Sequence, residues 1–101
     1  MEELNESRET IRAIDIQMAS LFVKRMEAVR DIAQYKFERD LPIEDKEQEA
    51  RIQEERSAQI EDVRLRPFYV EFLQNAMDVS KSWQRCLIHS WQDDRESVEE
   101  D

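Results

Sequence analysis

Not one of the 101 residues is glycine, and only two, Pro42 and Pro67, are prolines. A chain without glycine lacks the residue that most readily takes positive φ, so tight hairpins are hard to build. It is rich instead in Glu, Arg, Gln, Ala, Leu and Met, which favour helix. An all-α fold follows, and the prolines mark its divisions. Pro42 forces Leu41 out of helix, and Pro67 suits the first turn of a new one. Three helices are predicted, long, short and long: Leu4 to Glu38, Asp45 to Asp62, and Pro67 to Trp91. Residues 1–91 form one helical domain on this reading, and the last ten, QDDRESVEED, a solvated, flexible acidic tail.

The first helix would span roughly 50 Å, too long for a compact domain of this size. Its apolar line runs through Ile11, Ile14, Met18, Leu21, Phe22, Val29 and Ile32 in steps of three, four and seven, with one adjacent pair. With 40% of residues charged, one chain has little with which to build a core. A second copy packed along the first helix is the natural remedy, so a homodimer is expected.

The net charge of −10 argues against sequence-independent binding to nucleic acid or a membrane surface, which needs a basic face. No apolar run is long enough to span a bilayer, and no signal-peptide pattern opens the chain. The one cysteine, Cys86, has no internal partner, which fits a reducing cytoplasm. Cys86 and His89 lie three apart, but no further metal ligands accompany them, so no metal or other cofactor is expected. Trp83 and Trp91 read as packing or dimer contacts.

The informative positions are polar ones on apolar lines. Arg25 and Lys36 point within roughly 20° of each other, and Ile14, Met18 and Ile32 within roughly 20° of Arg25. On the third helix Ser80 and Gln84 interrupt the stripe Leu73, Met77, Leu87 and Trp91. On the second, Glu49 heads the line of Ile52 and Ile60. Each has an ordinary explanation taken singly. Cations snorkel, a serine bonds back to its own helix, a buried amide fixes register, and a glutamate joins a solvated helix start. Together they put two cations, a carboxylate, a hydroxyl and an amide on inward faces, as in a buried site for a small anion between helices.

These residues also form a recognisable series. Arg8 lies seven before the Asp of IRAID, Arg25 ten after it, and Lys36 eleven further on; PIEDKEQE and the pair Ser80 and Gln84 follow. In this order and spacing, over roughly residues 4 to 88, the chain resembles the small all-helical chorismate mutases. The resemblance implies a homodimer whose first helices cross, with two active sites that rearrange chorismate to prephenate, the committed step toward phenylalanine and tyrosine. It implies that Arg8 from the neighbouring chain and Arg25 hold the two carboxylates of the substrate. Lys36 and Gln84 would donate to its ether oxygen, Glu49 and the backbone near Asp45 would take its hydroxyl, and Ser80 would help bind a carboxylate. Ile32, Ile52 and Met77 would form the apolar wall.

Two positions depart from the family pattern. Gln48 stands where an arginine precedes the glutamate, and Lys81 stands at a usually apolar position beside Ser80. Lys81 is therefore a candidate for the cation that Gln48 does not supply. Arg51 follows Glu49 by two and faces elsewhere. The alternatives are an isochorismate pyruvate lyase on the same scaffold, and a non-catalytic helical dimer or regulatory module.

Overall fold

The computed structural model describes residues 2–100, and the side chains of residues 2–97. It contains three helices: α1, Glu2–Glu38; α2, Lys46–Ser57; and α3, Arg66–Glu100. No strand occurs among the described residues, and no helix there is long and apolar enough to cross a membrane.

The end of α1 shows how a chain without glycine stops a helix. Asp40 takes φ 53°, the left-handed conformation usually left to glycine. The amide of Leu41 then donates to the Lys36 carbonyl at 2.9 Å, and that of Asp40 to the Phe37 carbonyl at 3.4 Å. This is the Schellman arrangement, with an aspartate in the glycine position. Asp40→Val should lower stability by roughly 1–3 kcal/mol, because a β-branched residue resists that conformation. Asp40→Gly should not, and thermal melting of the two variants distinguishes this account from a loss of side-chain contacts.

α2 begins where the sequence suggests. Asp45 is its N-cap, in extended conformation, and its Oδ1 accepts from the Gln48 amide at 3.1 Å. The helix stops at Ser57, five residues short of the predicted Asp62. Local hydrogen bonds hold the intervening segment in another shape. Asp62 Oδ1 accepts from the Arg64 amide at 3.0 Å, and the Asp62 carboxylate from the Arg64 guanidinium at 3.0 and 2.9 Å. Arg66 donates through Nε to the Ile60 carbonyl at 2.8 Å and through Nη2 to that of Ala58 at 3.3 Å. Carbonyls that a longer helix would have satisfied are met by a side chain.

α3 continues past Trp91 to Glu100, so the segment expected as a tail from residue 92 is helical through Glu100. QDDRESVE contains neither proline nor glycine, and nothing in it ends a helix. The extension also has packing of its own. The Phe37 and Trp91 ring centroids lie 5.6 Å apart, and the Arg95 guanidinium sits 4.3 Å from the Phe37 centroid. Residues 92–97 remain exposed, as expected of an acidic surface.

α3 packs against both α1 and α2. The buried apolar residues are Val29 and Ala33 of α1 and Leu73 and Met77 of α3. Gln53 Nε2 donates to Gln74 Oε1, tying α2 to α3. So small a core leaves an elongated molecule of 66 × 30 × 15 Å with a radius of gyration of 18.3 Å. A compact domain of this length would have about 13 Å. The excess lies in α1, where every described residue through Lys24 is exposed, including Leu4, Ile11, Ile14, Met18, Leu21 and Phe22. Of the predicted apolar line, only Val29 is buried within a single chain.

Candidate active site

The three helices enclose a cleft of about 320 Å³. α1 contributes Arg25, Val29, Ile32 and Lys36; Ile43 and the capping Asp45 come from the connection. α2 supplies Gln48, Glu49 and Ile52, and α3 supplies Met77, Ser80, Lys81 and Gln84. All the residues expected to form the site except Arg8 therefore line a single hollow. Its size lies near the lower end of the roughly 300–1,000 Å³ typical of small-molecule sites.

Arg25 is half-buried and held by α3. Its Nη1 donates to the Ser80 hydroxyl and to the Ala76 carbonyl, the latter at 3.3 Å. The Ser80 hydroxyl donates in turn to the Ala76 carbonyl at 2.9 Å, so it both bonds back to its own helix and positions the guanidinium. Lys36 Nζ donates to the Ile43 carbonyl at 2.8 Å. These contacts leave capacity, since a guanidinium has five N–H donors and an ammonium three. Both cations thus face the same hollow while anchored from behind.

Ser80 and Gln84 are each only 6% exposed. Gln84 Oε1 is buried with no hydrogen-bond partner among the described residues. A half-turn of the terminal amide puts Nε2, a donor, in that place, where it can meet an acceptor on a ligand. Asp45 spends a carboxylate oxygen on its own helix cap, where Oδ1 accepts from the Gln48 amide.

Lys81 holds the tightest ion pair in the cleft. Its Nζ lies 2.9 Å from Glu49 Oε1, 3.4 Å from Glu44 Oε1 and 3.5 Å from Asp78 Oδ1. The Glu49 carboxylate beside it holds the ammonium pKa above the ordinary lysine value, against the opposing effect of desolvation, with Glu44 adding to the rise. The proton is bound more tightly in the fold than in the open chain, so the associated stability is present at neutral pH. It is lost only as pH climbs through the raised value, in strong alkali.

Arg8 is exposed and does not line the cleft. It precedes Arg25 by seventeen positions on one straight helix, which places the two about 25 Å apart. Within one chain it cannot reach the cleft. Arg51 is exposed and outside the cleft, as its helical position suggests. Sequence reasoning did not assign Val29 or Ile43 to the site. Val29 sat on the apolar line as a core residue, and Ile43, in the α1–α2 connection, carries no periodic signal.

A sequence profile of chorismate mutase type II matches residues 7–85. The chain belongs to the chorismate mutase type II family. No curated protein and no solved structure matched it. The family match covers α1 from Ser7, all of α2 and α3 through Arg85, and includes every cleft residue. A chorismate mutase is an isomerase that rearranges chorismate to prephenate on the route to aromatic amino acids. The all-helical architecture is that of this class.

Proposed function

We propose that the cleft between the three helices is the chorismate site, and that a second copy of the chain completes it with Arg8. The observation that carries this reading is the convergence of Arg25, Lys36, Ser80 and Gln84 on one hollow, in a chain whose charge is otherwise strongly negative. The rearrangement is unimolecular: the ether C–O bond breaks as a new C–C bond forms. It requires no nucleophile and no proton transfer. The protein has to hold the substrate folded and meet the charge that develops on the ether oxygen.

Arg25 takes one substrate carboxylate, with Ser80 beside it, and Arg8 of the second copy takes the other. Lys36, anchored on the Ile43 carbonyl, and the Gln84 amide donate to the ether oxygen. These donors strengthen as the bond breaks, which is the differential binding that accelerates a reaction. Glu49 and the first amides of α2 receive the hydroxyl, and Ile32, Ile52 and Met77 wall the ring. Several charge-assisted bonds at roughly 1.5–3 kcal/mol each reach the order of the 8 kcal/mol that modest enzymes remove.

Features of the same structure support a dimer. The exposed apolar residues of α1 form a face too long for the chain's own core to cover, and Arg8 lies on that same segment. A second α1 laid along it buries the face and carries Arg8 toward the neighbouring cleft. A cytoplasmic location suits a chain with one unpaired cysteine.

The direct test follows chorismate disappearance in the ultraviolet and identifies the product. Prephenate well above the uncatalysed rate supports the reading; pyruvate release in place of prephenate, with isochorismate consumed, supports a lyase instead. The shared site has its own test. Arg8→Ala and Lys36→Ala homodimers should each be nearly inactive. Refolded together, half the dimers are mixed, each with one intact site, so about a quarter of normal activity returns. No recovery on mixing would place Arg8 outside the neighbouring site.

A further inference from the structure

We propose that Lys81 is a positioning residue that acts through Glu49, fixing that carboxylate and cancelling its charge so that the cleft accepts a dianion. The inference rests on the site reading above and adds a residue at a position that the family pattern leaves apolar.

The geometry engages Lys81 with carboxylates of the protein itself. Its ammonium has three N–H donors, and three carboxylates stand around it, at 2.9 Å (Glu49), 3.4 Å (Glu44) and 3.5 Å (Asp78). The Lys81 and Glu49 side chains are only 15% and 17% exposed, whereas those of Glu44 and Asp78 are more than half exposed. The close, shielded contact is the one facing the cleft; water screens the other two.

Charge balance gives the contact its purpose. The cleft is lined by three cations, Arg25, Lys36 and Lys81, and by two carboxylates, Asp45 and Glu49. Without Lys81 these charges cancel, and a dianion entering the cleft meets no net attraction. With Lys81 the lining is positive by one charge, and with Arg8 of a second copy by two, which matches a dicarboxylate. Gln48 supplies no charge at its place in the same lining. Lys81 therefore offsets Gln48 indirectly, from α3, by neutralising Glu49. The substrate hydroxyl that Glu49 receives neither breaks nor forms a bond in the rearrangement, so its contact holds ground and transition states nearly alike. Losing such a contact raises KM and leaves kcat nearly unchanged.

The test is a double-mutant cycle in the full-length chain with chorismate as the varied substrate. Lys81→Met should raise KM by roughly 10–100-fold, the scale of one charge-assisted hydrogen bond, with kcat within about threefold. Lys81→Arg should restore KM to within about threefold of normal. In a Glu49→Gln background, adding Lys81→Met should raise KM by less than about threefold, because the anion it neutralises is gone and the lining, Arg25 and Lys36 against Asp45, stays positive by one charge as in the unaltered chain. The doubly substituted chain leaves neither charge of the cleft pair unpaired. Comparing it with Glu49→Gln alone decides the matter even if Lys81→Met does not fold. An equal loss from Lys81→Met in both backgrounds would show Lys81 acting on substrate directly and overturn the inference, as would a loss confined to kcat. If Glu49→Gln itself leaves KM unchanged, the assignment of Glu49 fails along with it. That failure is separable from failure of the whole site, which Lys36→Ala reports.

Discussion

Lys36→Ala is expected to remove nearly all turnover while the protein remains folded and dimeric. Lys36 Nζ is half-buried at the end of α1 and anchored to the Ile43 carbonyl at 2.8 Å, with donors left over for a ligand. Its proposed partner is the oxygen on which negative charge grows, so its contribution is largest where the barrier is highest. Removal of one such donor elsewhere costs about 10²–10³ in kcat, and a charged donor in a half-buried cleft belongs at the upper end. The structural cost is far smaller. One loop carbonyl loses a hydrogen bond, worth about 1 kcal/mol or less because the loop can be rehydrated. Saturation kinetics, circular dichroism and sedimentation on the same preparation separate the two. Turnover within tenfold of normal would remove Lys36 from the chemistry.

Gln84→Glu should produce an enzyme that is poor at neutral pH and recovers in acid. Residue 84 is only 6% exposed and lies in the cleft beside Ser80. The amide can present N–H to the ether oxygen; an ionised carboxylate of the same size can only accept, and it adds repulsion toward a dianion. A loss of about 10²–10³ in kcat is expected near pH 7.5. On protonation the carboxyl regains an O–H donor. Recovery should follow protonation of the carboxyl, which burial favours and the Arg25 and Lys36 cations of the same cleft oppose. The rate should then rise tenfold per pH unit until the carboxyl is protonated. The unaltered protein, which needs no protonated carboxyl, provides the flat reference. A flat profile in the variant as well would count against Gln84 as the donor.

Gln48 brings no charge to the α2 side of the cleft, and Lys81 brings one from α3. The tertiary arrangement adds that Lys81 is enclosed by Glu49, Glu44 and Asp78. Charge at a site can be conserved in sum while it moves between helices, because a dianion responds to the field of the whole lining.

Most of the cleft lining was legible in the sequence because a helix converts spacing into direction. Arg25 and Lys36, eleven apart, share a face at 100° per residue, as do Ser80 and Gln84, four apart. The ends of the elements were less legible. α2 stops at Ser57 because Asp62 bonds to Arg64 and Arg66 reaches back to the Ile60 and Ala58 carbonyls, contacts that depend on the chain having already turned. α3 runs on to Glu100 because no breaker ends it and because Trp91 and Arg95 find Phe37 of α1.

The sequence by itself determined a helical chain divided near two prolines, with cations and amides on its inward lines. Those features depend only on residue type and local periodicity. Only the tertiary structure decided that Ile43 closes the cleft and anchors Lys36, that Lys81 pairs with Glu49, and that Arg8 lies out of reach of its own site. Each of these depends on the distance between residues on different helices or far apart along one, and that distance is set by packing in three dimensions.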